Sequence, residues 1–146
     1  MAGQYADVLA EQMLQVNRIH SMATTAGSVT ALKVLHVNKR TAINQITIAH
    51  ATDPGSTLIV KASRAGAGVA GPTDSTDAGG GYFITSGDDM DTGAAHTAKT
   101  LTLVTSKGVP SQNILEAGDS LWLASSGNLS GIGQFSVEVR MTEVIK

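Results

Sequence analysis

Apolar and polar residues alternate strictly near the end of the chain. Every second residue from Phe135 to Met141 is apolar, and a serine, a glutamate and an arginine lie between them. Successive side chains of a β-strand point to opposite faces, so a period of two predicts a strand with one buried face. We expect this strand over residues 134–145.

Seven further strands are predicted between residue 29 and that final strand. Each is a short segment rich in Val, Ile, Leu or Thr, bounded by residues that favour turns. The eight predicted strands cover residues 29–37, 42–51, 57–62, 82–85, 99–105, 114–116, 120–124 and 134–145. No helix-length apolar pattern separates them, which favours antiparallel pairing over an α/β arrangement. We therefore predict an all-β fold, an antiparallel β-sandwich, with a jelly roll as one candidate connectivity.

Two details refine this prediction. A turn rich in Gly and Asp at residues 117–119 predicts a β-hairpin between the strands on either side of it. Trp122 lies between Leu121 and Leu123, so strict alternation makes both faces of that strand apolar. Such a strand lies either between two covering layers or against a partner subunit.

The first 28 residues follow a different pattern. Tyr5, Leu9, Met13 and Val16 recur at steps of three and four residues, the spacing of one helical face. A short amphipathic helix and an extended arm both fit, because an isolated helix of this length is marginal in water. The small polar residues at 21–28 indicate a linker. We therefore predict two parts: an N-terminal arm or helix with its linker at 1–28, and a β-sandwich domain at 29–146.

Two polar segments, residues 64–81 and 86–98, are predicted to be exposed loops. The second contains Asp88, Asp89 and Asp91, whose carboxylates are of the type that binds calcium. Their spacing does not fit an EF-hand loop, since Thr100 stands where a bidentate Glu is required. We predict no metal site, and whether these three residues bind a cation is left open.

Composition argues against several classes of function. The formal net charge is −2 without a stripe of Lys or Arg, so no nucleic-acid partner is expected. There is no cysteine, and hence neither a disulfide framework nor a thiolate metal site. A signal peptide and a bilayer-length apolar run are both lacking, so we expect a soluble cytoplasmic product without a membrane partner. Charged residues make up only 15%, which suits a surface in permanent contact with other subunits.

The sequence does not point to an enzyme. The four histidines are scattered without metal-ligand spacing, although His36 and His50 fall in predicted strands that could pair. There is no Gly-x-Ser-x-Gly elbow, and no helix follows the glycine-rich residues 65–71. We predict no catalytic, cofactor-binding or metal-binding residue, and no cofactor.

The order of four segments carries a family resemblance. They are VNKRTAINQITI at residues 37–48, TLIVKA at 57–62, LEAGDSLWL at 115–123 and the alternating strand at 135–144. An Asn-Lys-Arg turn before an Ile-rich strand, a late Leu-x-x-Gly-Asp-x-Leu hairpin and a closing alternating strand are found in small β-sandwich proteins of tailed-bacteriophage virions. The chain resembles these proteins, especially capsid cement or decoration proteins and related neck or tail proteins.

The resemblance implies a non-enzymatic viral structural protein. It implies binding to the outer surface of the phage head, stabilisation of the major capsid protein lattice, a homo-oligomeric state that is often a trimer, and synthesis in the host cytoplasm. The one-sided spacing of Tyr5, Leu9, Met13 and Val16 makes them our candidate partner-binding residues. Alternatives are a neck, tail or fibre-base protein and, in another class, a carbohydrate-binding β-sandwich module.

Overall fold

The chain folds into two antiparallel β-sheets that share one hydrophobic core. A computed structural model describes residues 15–25, 27–92, 95–104 and 113–144, and the statements below concern these residues. The strands of sheet 1 are β1 (Gln15–Thr25), β3 (Thr41–His50), β7 (Lys99–Thr100), β8 (Ile114–Leu115) and β10 (Gln134–Val144). Their order is β1-β10-β3-β7, with β8 also paired to β3.

Sheet 2 has the order β2-β9-β4-β5, with β6 also paired to β4. Its strands are β2 (Ala31–His36), β4 (Ile59–Ala65), β5 (Tyr82–Phe83), β6 (Asp88–Asp89) and β9 (Ser120–Ser125). Short 3₁₀ helices at Met90–Thr92 and Leu129–Ile132 complete the regular structure of the described residues. The two antiparallel sheets confirm the predicted β-sandwich.

The strand pairs are nested along the chain. β1 pairs with β10, β2 with β9, β3 with β7 and β8, and β4 with β5 and β6. The first and last described strands are therefore neighbours in sheet 1, and the next pair inward lies in sheet 2. This order is that of a long antiparallel hairpin rolled up on itself.

The core is largely aliphatic. Ile43, Ile46 and Ile48 of β3 are fully buried against Val137 and Val139 of β10 and the inward side chains of sheet 2. The period of two identified the buried face of β10 correctly, because Phe135, Val137, Val139 and Met141 are all buried. In β3 a register shift opposite residues 140–141 separates Ile43 from Ile46 by three residues. Each of the eight predicted strands overlaps an observed strand.

Two predictions near the ends of the chain are wrong. Residues 21–25 lie in β1, which pairs with β10 over its whole length, so they are not a linker. The turn at 117–119 does not join a hairpin, because β8 pairs with β3 in sheet 1 and β9 lies in sheet 2. Residues 1–14 lie outside the described residues, so the helix or arm stays a prediction there. Residues 15–25 belong to sheet 1, so the sandwich extends to the N-terminal side of the predicted division at residue 28.

Candidate interaction surface

The beginning of β1 is the part of the predicted partner-binding segment that the structure describes. Val16 lies in β1 opposite Glu143 of β10 and is half-buried. It belongs to an extended strand and not to the helical face that its spacing predicted. Tyr5, Leu9 and Met13 lie outside the described residues. β1 begins at Gln15, which lies opposite Val144 at the end of β10.

Side-chain contacts hold this end of sheet 1 together. The Thr142 hydroxyl donates to the Asn17 side-chain oxygen at 2.9 Å and accepts from the Asn44 amide at 2.9 Å. This chain of bonds ties β1, β10 and β3 together across the surface. Arg18 adds an ion pair with Glu143 at 2.7 Å. These contacts fasten the beginning of β1 to its neighbours in sheet 1.

Side chains in the middle of β1 alternate between the outer and the inner face of sheet 1, and this pattern is difficult to see in the sequence. Ile19 and Ser21 lie opposite the outward-facing Arg140 and Glu138, and both are exposed. His20 and Met22 lie opposite the buried Val139 and Val137. Because serine, alanine and threonine occupy most positions on both faces from Ser21 onward, the period of two has little hydrophobic contrast, and the segment resembles a linker.

The glycine-rich loop after β4 covers part of the outer surface of sheet 2. A Cβ on Gly71 would lie 2.7 Å from two carbons of the Trp122 ring, so the loop backbone passes directly over the indole. Leu121 and Leu123 are fully buried on the opposite face of β9. The sequence allowed two explanations for the apolar outer face of β9, a covering layer of the same chain or a partner subunit. The structure shows that this loop covers the face at Trp122.

An ion pair fixes the base of the same loop. The Arg64 Nε donates to Asp119 at 2.5 Å, and the Arg64 guanidinium also donates to the Tyr82 hydroxyl at 2.5 Å. Asp119 is only 4% exposed and accepts a further bond from the Glu116 backbone N–H at 2.8 Å. Arg64 is thus a structural residue that joins β4, β5 and the turn before β9.

The aspartates of the second polar loop act as turn and strand acceptors. Asp88 accepts two bonds from Thr102, and Asp89 accepts the backbone N–H groups of Leu58 and Asp91. These two N–H groups and the charge of Lys99 lower the pKa of Asp89. Within the described residues, no group of three acidic or histidine side chains is arranged to hold a metal ion.

Asp91 has the opposite shift from Asp89. Its hydrogen bond with the Asp53 carboxyl, its burial and the negative charges of Asp53 and Asp89 raise the pKa of Asp91. The neighbouring carboxylates therefore make ionisation of Asp91 less favourable. The loop therefore contains one carboxylate stabilised by donors and one that is destabilised by its neighbours.

The histidines do not form the cross-strand pair that the sequence allowed. His36 lies in β2 of sheet 2 and His50 in β3 of sheet 1. His50 is instead linked to His96, whose backbone N–H donates to the His50 carbonyl at 2.6 Å. Both line an open cavity of about 550 Å³ at the end of sheet 1, together with Phe135 and Gln134. No local sequence pattern marks this cavity, because its walls come from distant segments.

No helix within the described ranges is long and apolar enough to cross a membrane.

Comparison with known proteins gives weak structural matches. No family model and no curated protein sequence matches the chain. A chain of the cyanophage Pam1 capsid asymmetric unit is 14% identical with a TM-score of 0.45, and the match covers 90% of this chain and 85% of that one. A chain of infectious bursal disease virus, Gx strain, is 10% identical with a TM-score of 0.39, and the match covers 88% of this chain and 32% of that one.

A third solved structure belongs to another class of protein. The CBM22-1 xylan-binding domain of Xyn10C from Paenibacillus barcinonensis is 11% identical with a TM-score of 0.35, covering 90% of this chain and 86% of that domain. Two virus structures and a carbohydrate-binding module are thus matched at similarly low levels. These similarities are too low to assign a function.

Proposed function

We propose that the chain is a non-enzymatic structural protein of a tailed-phage virion, a cement or decoration protein that binds the outer surface of the head and stabilises the major capsid protein lattice. The segment order from residue 37 onward suggests this function. The structural observation that carries the proposal is the register of β1, which joins residues 1–14 to one end of a sandwich with a continuous core.

The proposed mechanism needs a rigid body and a segment that binds. The core of fully buried Ile, Leu and Val side chains supplies the rigid body, and the nested strand order is compatible with a jelly roll. Tyr5, Leu9 and Met13 are the proposed contact residues on a neighbouring capsid subunit. Burial of apolar side chains there contributes about 25 cal/mol per Å², less the cost of ordering the segment.

A binding experiment with shells tests the proposal. Purified empty heads of the encoding phage, lacking this protein, are mixed with the chain and sedimented. We expect the full chain to sediment with the heads and a variant lacking residues 1–14 to stay in the supernatant. The deletion ends at residue 14 because a longer one would remove β1 and expose the edge of β10.

Point variants separate a loss of contact from a loss of folding. Leu9→Ser combined with Met13→Ser removes two proposed contacts, and Asp7→Ser combined with Glu11→Ser changes two polar residues of the same segment. We expect the first pair to weaken sedimentation with heads and the second pair to leave it unchanged. Equal binding by both pairs would refute the proposed role of this segment.

Two alternatives predict different results. A neck, tail or fibre-base protein would be present at about a dozen copies or fewer per particle, whereas a cement protein occurs in hundreds, because the two occupy sites of different symmetry. A carbohydrate-binding module needs exposed aromatic rings. Gly71 lies against the ring of Trp122, and Tyr82, although 37% exposed, has the Arg64 guanidinium 5.4 Å from its ring centre. No broad aromatic platform is therefore formed by these two residues, and a glycan array is expected to give no binding.

A further inference from the structure

The edge of β1 is the longest unpaired backbone edge among the described residues. β1 has 11 residues and pairs with β10 in an unbroken register, while its other edge faces no described strand. An open edge presents unpaired N–H and C=O groups that pair readily with another strand. An interaction through this edge is separate from the function proposed above and does not depend on it.

The other sheet edges carry features that oppose strand addition. β2, at the matching edge of sheet 2, has only six residues, a register shift between Lys33 and Leu35, and the exposed charge of Lys33. The strands at the opposite edges, β5, β6, β7 and β8, have two residues each. Short length, irregularity and edge lysines are the usual protections against pairing. β1 lacks all three, has no proline and has a single charged residue, Arg18.

We propose that β1 pairs antiparallel with β1 of a second copy, across a two-fold axis at His20. An antiparallel edge is self-complementary under a two-fold axis, so one surface serves both copies and the assembly closes as a dimer. Arg18 is paired with Glu143 in its own chain, so the two edges meet without uncompensated like charges.

Two side chains in the middle of β1 place the axis at His20. Ile19 is 62% exposed, the highest value for a large apolar side chain among the described residues. With the axis at His20, Ile19 lies opposite Ser21 of the second copy, and the two Ile19 side chains become diagonal neighbours that shield each other.

His20 gives the second reason. Its Nε2 is buried and has no hydrogen-bond partner among the described residues. A buried polar atom without a partner is unfavourable. The proposed axis brings the two His20 side chains directly opposite each other, and rotation of an imidazole toward the axis brings its Nε2 within reach of the other ring.

The proposed dimer differs from the trimer that the family resemblance implies. Each copy has one long edge that no described strand pairs with, and pairing across a two-fold axis engages this edge in both copies. Light scattering on the full chain in solution distinguishes the two states and requires no phage heads, so its outcome is independent of the shell-binding proposal. We expect the mass of two chains, falling to one on dilution.

Matched serine substitutions test the interface. Ser21 and Ser136 are both exposed on the outer face of sheet 1, but Ser21 lies on the free edge and Ser136 lies in β10 between two strands. Ser21→Lys places two like charges across the axis and should weaken the dimer by roughly tenfold or more, whereas Ser136→Lys should not change it. A monomeric or trimeric wild-type chain, or equal effects of the two substitutions, would overturn the proposal.

A cross-link tests the position of the axis. The chain has no cysteine, so a single introduced thiol can form a disulfide only between copies. Opposed residues of antiparallel strands have Cα atoms about 4.5 to 5.5 Å apart, which is within disulfide range. His20→Cys should form a covalent dimer under oxidising conditions and His36→Cys, on β2, should not. Absence of the His20→Cys dimer would overturn the placement of the axis.

Discussion

Gly71 lies directly against the ring of Trp122, so close that a side chain on residue 71 would overlap the indole. This contact shows how a loop without strands contributes to the sandwich. The loop after β4 is held at its base by the bond between Arg64 and Asp119 and lies over the outer surface of β9. The chain thus covers its single tryptophan with its own backbone.

Replacing Gly71 by alanine should destabilise the fold. The added Cβ would lie 2.7 Å from the Trp122 ring, and overpacking of this kind costs about 2 kcal/mol. Urea unfolding followed by the fluorescence of Trp122 measures the loss. Gly131→Ala is the control, because its added Cβ meets only Pro54 at an ordinary 3.8 Å. Equal stability of the two variants would contradict the close contact.

Removing the cation of the Arg64–Asp119 pair should lower the free energy of unfolding more than removing the cation of a surface ion pair. Arg64→Met leaves the buried Asp119 carboxylate without its charged partner, at a cost of about 2 kcal/mol. Arg40→Met is the matched control, because Arg40 and Glu116 are both exposed and 3.5 Å apart. An exposed pair contributes less than about 1 kcal/mol. Denaturant unfolding of both variants at pH 7 tests the difference.

The two shifted aspartates should affect stability in opposite directions with pH. The pKa of Asp91 is raised in the folded state. Its contribution to the free energy of unfolding is therefore full below the ordinary aspartate pKa of about 3.9, and it is lost as the pH rises through the pKa of the folded state. Asp91→Asn removes the unfavourable charge. We expect this variant to be more stable than wild type at pH 7, with the gain disappearing in acid.

Asp89→Asn provides the comparison of opposite sign. The pKa of Asp89 is lowered in the folded state. Its contribution to the free energy of unfolding is therefore full above the ordinary aspartate pKa, and it is lost as the pH falls through the pKa of the folded state. The Asp89→Asn variant should therefore be less stable than wild type at pH 7, with the loss shrinking in acid. Thermal unfolding between pH 3 and pH 7 measures both variants, and shifts of the same sign would contradict the assignment.

The sequence predicted the strands better than their partners. Phe135, Val137, Val139 and Met141 gave a clear buried face, and the turn residues marked the ends of the strands. Sheet membership depends on contacts between distant segments, which explains why the turn at 117–119 was misread as a hairpin. β8 and β9 adjoin in the sequence and yet lie in different sheets.

The strands and surfaces that were not predicted have only weak signals in the sequence. β1 has small residues on both faces around Ala23, and β6 consists of two aspartates, which have low strand propensity. Val16 was assigned to a helical face because steps of three and four residues arise by chance in a short segment. The free edge of β1 has no local signal, because an edge is defined by the strands that do not pair with it.

The number of copies bound to one head tests the proposed function most directly. The full chain is added in excess to purified heads that lack it, the heads are sedimented, and bound chains are counted against the major capsid protein on a quantitative gel. The proposed cement role predicts saturation at hundreds of copies per head. Saturation at about a dozen copies or fewer, or no binding at all, would contradict it.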